Sequence, residues 1–286
     1  MILASKISLK RSLNREEQLT LEISQLFKEI QDEVQALLQE YGTTTVLLEG
    51  QVRIILSPIK QYNEEYYEII KRHVLDEFEA GTSEGDRLVE LNNPEIVSGV
   101  VNEIRRNNLF GTLEYTENKL LNQTFVASET TMARIDSSIN QIITDGYKSG
   151  KGIDHVAREI NTRFDQLQTW EARRIARTEI HSAHQQGIMK SYETLGVEYT
   201  EWVSHIDHRT RGARKTDKAN HIIMDGEIIP FGGTYSNGLA YPGDKSGPIE
   251  EWINCRCTNA PFVMPAGSMA PPGMSQFKKS DLVKLS

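Results

Sequence analysis

Cysteine is nearly missing from this sequence. There are two, Cys255 and Cys257, with one residue between them, so no disulfide framework can hold the fold and a reducing compartment suits it. No apolar run reaches the roughly 18 residues that a membrane-spanning helix needs, and a membrane partner is therefore not expected. The first 18 residues, MILASKISLKRSLNREEQ, lack an apolar segment followed by a small-residue cleavage site, which points to cytoplasmic synthesis. A basic excess is absent too. The net charge is −8 over 286 residues, and residues 1–150 hold 15 Lys and Arg against 24 Asp and Glu, which makes that half a poor nucleic-acid ligand. Residues 151–286 are balanced, with 17 against 16. The length suffices for two ordinary domains with substantial cores.

What is present first is helical periodicity. Leu19, Ile23, Leu26, Ile30, Val34, Leu37 and Leu38 recur at three- and four-residue steps, the stripe of an amphipathic helix ending near Gly42. Thr43–Val46 interrupt it, and Pro58 marks another boundary. A second stripe, from Ile59 through Tyr62, Tyr66, Ile69, Ile70 and Val74 to Phe78, is predicted to end at Gly81. Residues 81–94, GTSEGDRLVELNNP, read as a turn-rich connector. Spacing from Leu113 to Ile143 predicts a long helix or two joined ones. Residues 1–150 thus form a helical docking or assembly domain, with the glycine-containing joint 147–152 as its end; that joint lacks phosphate-loop spacing.

Beyond the joint, Asp154 is placed to cap a helix carrying Ile153, Val156, Ala157, Ile160 and Phe164. Another helix, from about residue 169 to 195, carries Arg177, Glu179, His181 and His184. The H-x-x-H pair lacks the H-E-x-x-H arrangement of hydrolytic zinc sites, and pairing of buried polar groups accounts for both histidines. Val197–Ser204 reads as a strand. In IIMDGEII the dipeptide Asp225-Gly226 predicts a two-residue hairpin turn. Asn254–Val263 returns to the core, and residues 265–286, rich in proline, glycine and methionine at their start, are expected to form a flexible tail. The fold class is α+β: a mainly helical N-terminal half, then a helix-plus-small-antiparallel-sheet module over 151–264.

Polar chemistry concentrates between Trp202 and Cys257, which hold three of the seven histidines, two of the three tryptophans and both cysteines. Thiolate and imidazole are zinc ligands, so Cys255 and Cys257 with His221 and either Asp207 or His205 can hold a structural zinc; a metal-free hydrogen-bonded core is the alternative. In the latter, packed thiols are joined by an Asp207–Arg256 interaction. Arg209, Arg211, Arg214, Lys215 and Lys218 form a basic loop able to touch phosphates, or simply a solvated one. Catalysis can be drawn with His205 or His221 as base, Arg209 or Arg211 on phosphate charge and Glu250 or Glu251 as acid. That set holds neither a nucleophile–base pair nor a dense carboxylate cluster.

The pieces IARTE (175–179), GVEYTEWVSHIDHRTR (196–211), HIIMDGEII (221–229), YPGD (241–244) and EEWINCRC (250–257) occur in the order and approximate spacing of a known family. In them the chain resembles the phage Mu F-like minor head proteins, also called phage head morphogenesis proteins, over roughly residues 150–260. It departs from the family in the long basic stretch 209–220 before His221. The resemblance implies structural-motif roles for Arg177, Glu179, Trp202, Asp225, Gly226, Asn254 and Arg256, with Arg177 and Glu179 tying their helix to the following sheet. It also implies a non-enzymatic minor capsid protein, carried in the virion near the portal and present in the host cytoplasm during assembly. Its partners would be the portal protein, scaffolding or major capsid protein, and packaged double-stranded DNA bound nonspecifically. Its role would be in head assembly and in genome packaging or ejection. A nuclease or transferase carried in the head is the alternative.

Overall fold

The computed structural model describes residues 2–41, 49–92 and 115–285. Its helices are α1 (Ile2–Tyr41), α2 (Glu49–Gln61), α3 (Asn63–Asn92), α4 (Glu117–Lys148), α5 (Ile153–Gln166) and α6 (Ala172–Thr194), then the single turns α7 (His221–Met224) and α8 (Ile249–Trp252). The strands are β1 (Tyr199–Val203), β2 (Ile228–Pro230), β3 (Thr258–Phe262), β4 (Ser268–Met269) and β5 (Val283–Lys284). The α+β class and the helix-then-small-antiparallel-sheet order are therefore as expected. The interruption at Thr43–Val46 and the segment after Asn92 lie outside the described residues.

Two compact units interleave along the chain: residues 9–73 with 121–177, and residues 1–8 and 74–120 with 178–286. The joint at 147–152 thus separates two helices of one unit, not two domains. In that helical unit the predicted stripe of α1 is the buried one, with Leu19, Ile23, Ile30 and Val34 fully enclosed. Ile55 and Ile59 of α2, Tyr66 of α3, Ile135 and Ile139 of α4, and Ile160 and Phe164 of α5 are buried in the same unit. Leu37 lies only half-buried beside the stripe. Tyr66 stacks on Phe27 at 5.9 Å between ring centroids, and burial of such stripes dominates helix stability.

Several sequence boundaries fall differently. Pro58 sits inside α2, where its missing N–H would orphan the Ile54 carbonyl; the Ser57 hydroxyl donates to that oxygen at 2.7 Å. Gly152, not Asp154, is the N-cap of α5, without a side-chain cap. A π-helical turn, Leu167–Glu171, leads into α6 and places Glu171 in the unit's interior, 3 % exposed. There Arg163 and Arg134 donate to its carboxylate. Burial pushes this carboxyl up, but the Arg163 hydrogen bond and the surrounding guanidinium groups hold it below its ordinary value.

In the other unit, α3 continues through Gly81 to Asn92, so 81–92 is helix rather than connector. The reason is tertiary. A Cβ on Gly81 would lie 2.1 Å from the His184 carbonyl oxygen, and one on Gly187 would lie 2.1 Å from the Phe78 carbonyl oxygen. The glycines let α3 and α6 approach backbone to backbone, and Val89, Ile188, Met189 and Tyr192 fill the space beyond.

β1 is the centre of a three-stranded antiparallel sheet in the order β2-β1-β3. Thr200 pairs with Ile229 and with Pro261, and Trp202 with Asn259. Alternation along β1 turns Thr200 and Trp202 to the buried side. The chain after β3 is not a free tail: Phe277 is 2 % exposed and clusters with Ile228 and Phe262. Its backbone bridges Ile228 at 2.7 and 3.0 Å, and β4 and β5 pair antiparallel. Phe277, with Ala270 and Leu282 packed against the same cluster, supplies the apolar area that composition made scarce.

Candidate metal centre

The Asp225-Gly226 hairpin does not form. Residues 221–224 make the helical turn α7, and Asp225 (φ −55°, ψ 127°) with Gly226 (φ 76°) makes a type II turn closed by the Glu227 N–H on the Met224 carbonyl at 2.8 Å. Gly226 supplies the positive φ that this turn requires. The turn hands the chain into β2, which pairs with β1 rather than with 221–224. Its effect is to set His221 against the sheet end.

There His221 is held from several sides. The Asn220 side chain caps α7 by accepting from Ile223 N–H. Ser204, just past β1, accepts from Trp202 Nε1 at 3.1 Å and donates to the His221 carbonyl, while its own N–H donates to Asp225 at 2.8 Å. The Trp202 ring, wholly buried, meets the imidazole edge-on at 5.1 Å. On α8, the Glu251 carboxylate lies 3.0 Å from His221 Nε2. A carboxylate only accepts, so this nitrogen carries the proton and Nδ1 presents its lone pair. Asn237 donates to the same Glu251 oxygen at 3.0 Å.

Nδ1 faces both thiols, Cys257 Sγ at 3.5 Å and Cys255 Sγ at 3.7 Å. All three donor atoms lie within 4.8 Å of one another, and all three residues are at most 3 % exposed. The C-x-C turn is aimed by Asn254, whose φ of 54° lies in the left-handed region that asparagine tolerates. The Asn254 N–H donates to Thr178 Oγ1 of α6 at 3.0 Å. The thiols differ. Sharing a hydrogen bond with Cys255, and then facing His221, holds Cys257 below the ordinary thiol range, whereas Cys255 is pushed up by the same hydrogen bond and by burial.

Asp207 does not join the cluster. It takes both guanidinium nitrogens of Arg256, at 2.6 and 2.8 Å, and the Arg209 N–H at 2.8 Å. Arg256 holds its carboxyl well below the usual carboxylate range. The ion pair belonging to the metal-free reading is thus present, but beside a ligand-like triad that leaves it out. His205 is exposed, with Nε2 3.6 Å from Asp207.

The basic loop divides. Arg209, Arg214, Lys215 and Lys218 are exposed, while Arg211 turns inward and donates to the Ile253 carbonyl. Arg177 pairs with Glu16 of α1 at 2.6 Å. Glu179 pairs with Lys245 in the glycine-rich loop at 2.6 Å; α6 is tied to β3 by Gln185, which donates to Thr258 Oγ1 at 3.1 Å, and to the C-x-C turn by Thr178. His184 Nδ1 lies 2.7 Å from Glu77, the structural pairing expected of it. His181 packs on Gly243, and burial pushes it down to about 4. Glu250 is exposed on α8. Ser204, Thr178 and Asn237 carry no spacing signal, because His221, Asn254 and Glu251, which they bond, come from other segments.

No described helix is long and apolar enough to cross a membrane. Residues 137–260 match the family model described as Phage Mu protein F like protein. No curated protein and no solved structure matches the chain. The matched segment runs from the end of α4 to β3 and contains every residue that builds the thiol–imidazole cluster. Over residues 137–260, a little under half of its length, the chain is similar to the Phage Mu protein F like proteins.

Proposed function

We propose that this protein is a minor capsid component associated with the portal, acting non-catalytically in head assembly and in genome packaging or ejection. The carrying observation is the match over residues 137–260. The side chains a catalyst would need point the same way. Glu251 is engaged by His221 and Asn237, and Arg211 by a backbone carbonyl. Asp207 is closed by Arg256.

The portal is the first partner on this reading, with scaffolding or major capsid protein as others. The helical unit offers exposed apolar side chains for such docking: Leu21 on α1, and Phe125 and Val126 on α4, are each at least half exposed. Isolated exposed apolar residues are ordinary, but adjacent large ones mark interaction surfaces. Packaged DNA is met by the four exposed cations of the 209–218 loop, nonspecifically, through phosphate. The protein then resides in the virion head near the portal, and in the host cytoplasm during assembly.

The test is purification of proheads and virions made with the tagged full chain. Copurification with the portal oligomer in both particles is expected. Recovery only as free protein, or heads assembling unchanged when the chain is deleted, would overturn the reading.

A further inference from the structure

The thiol–imidazole cluster has the dimensions of a tetrahedral metal site. With Zn–S near 2.3 Å and Zn–N near 2.05 Å, tetrahedral angles put a sulfur and an imidazole nitrogen about 3.6 Å apart. The two distances here are 3.5 and 3.7 Å. Hydrogen bonding alone explains this poorly. With the Nε2 proton directed at Glu251, Nδ1 has a single lone pair, which can accept one thiol proton well but not two. A cation seated among the three atoms uses all of them.

We propose that His221 Nδ1, Cys255 Sγ and Cys257 Sγ bind a zinc ion through three protein ligands, leaving its fourth position to an exchangeable solvent-derived or anionic ligand. Two further observations fit. The Glu251 carboxylate, fixed by Asn237, behind the imidazole is the arrangement that orients and strengthens a metal-ligating histidine. His221 and Cys257 also form part of the wall of a small depression shared with His205, Arg209, Arg211 and Arg256. The fourth position faces that depression, whose three guanidinium groups outnumber the one Asp207 carboxylate beside them. Anions are favoured there.

This inference is independent of the head-assembly reading, since zinc can be bound or lacking whatever the protein's partners. The experiment uses the full chain, purified under reducing conditions, stripped with a chelator and titrated separately with zinc and cobalt. About one zinc per chain is expected to be retained. Cobalt should give the near-ultraviolet thiolate charge-transfer band together with strong visible bands of a tetrahedral ion, and azide should shift the visible bands. Cys257→Ser should weaken the charge-transfer band, while Asp207→Asn should leave it unchanged. Failure of the folded parent protein to retain zinc or to develop that band overturns the site. A tetrahedral spectrum indifferent to azide overturns the open fourth position, and loss of the band in a folded Asp207→Asn variant overturns the ligand set. The parent measurements decide the matter even where a substitution prevents folding.

Discussion

The Asp207 carboxylate grips Arg256 with both oxygens, at 2.6 and 2.8 Å, and so anchors the residue between the two cysteines from outside the cluster. Bidentate geometry gives such a pair direction as well as attraction. Asp207→Asn is expected to lower the melting temperature modestly while leaving zinc content unchanged, checked by a thermal melt beside elemental analysis. Arg256→Lys, which cannot make the fork, should resemble it.

Glu251→Gln should weaken metal retention about 10–100-fold, the usual effect of removing a carboxylate behind a metal-bound histidine. Competition with a chromophoric chelator measures it. An unchanged affinity would mean that Glu251 serves only to position α8.

Neutralising Arg209, Arg214, Lys215 and Lys218 together should reduce DNA affinity and flatten its dependence on salt, by about 0.9 in the logarithmic slope for each phosphate no longer neutralised. Arg211→Ala should behave differently. It removes a charged donor from the Ile253 carbonyl, so a stability loss of about 1–2 kcal/mol is expected, visible in a denaturant titration without DNA.

Gly81→Ala is informative through its sign. Helix propensity alone would make alanine better by about 1 kcal/mol, whereas forcing a methyl into a close-packed interface costs about 1–3 kcal/mol. With a backbone oxygen 2.1 Å from the new Cβ position, net destabilisation is expected for Gly81→Ala and likewise for Gly187→Ala. A more stable variant would show that α3 and α6 are further apart.

Glu171 predicts an acid limit for the helical unit. Its folded carboxyl lies below its ordinary 4.5, so its contribution is complete above that pH and is lost as the pH falls through the folded value. Glu171→Gln should flatten this part of the stability profile. Glu171→Leu should cost about 3–5 kcal/mol, because it strands the buried end of Arg163 without its anion. Chemical denaturation across acidic pH tests both.

The sequence alone determined whatever depends on near neighbours. The three- and four-residue stripe from Leu19 to Leu38 had to be an amphipathic helix, because an apolar face of that period can be buried only that way. Val197–Ser204 was legible as a strand. His221, Cys255 and Cys257 could be singled out because few residue types bind soft cations. Tertiary structure decided the rest. Gly81 ends helices in isolation, yet here it continues one, since α6 needs the space a side chain would fill. Asp225-Gly226 favours a hairpin locally, yet it makes a type II turn, because β2 finds its partner in β1 and His221 is drawn beneath Trp202. Asp207 and His205 were alternatives beside the thiols and His221, and only the fold set Asp207 on Arg256 and Glu251 on His221. These choices turn on distances between segments far apart in the chain, and local preference, worth about 1 kcal/mol per residue, yields to the burial and pairing that such approaches bring.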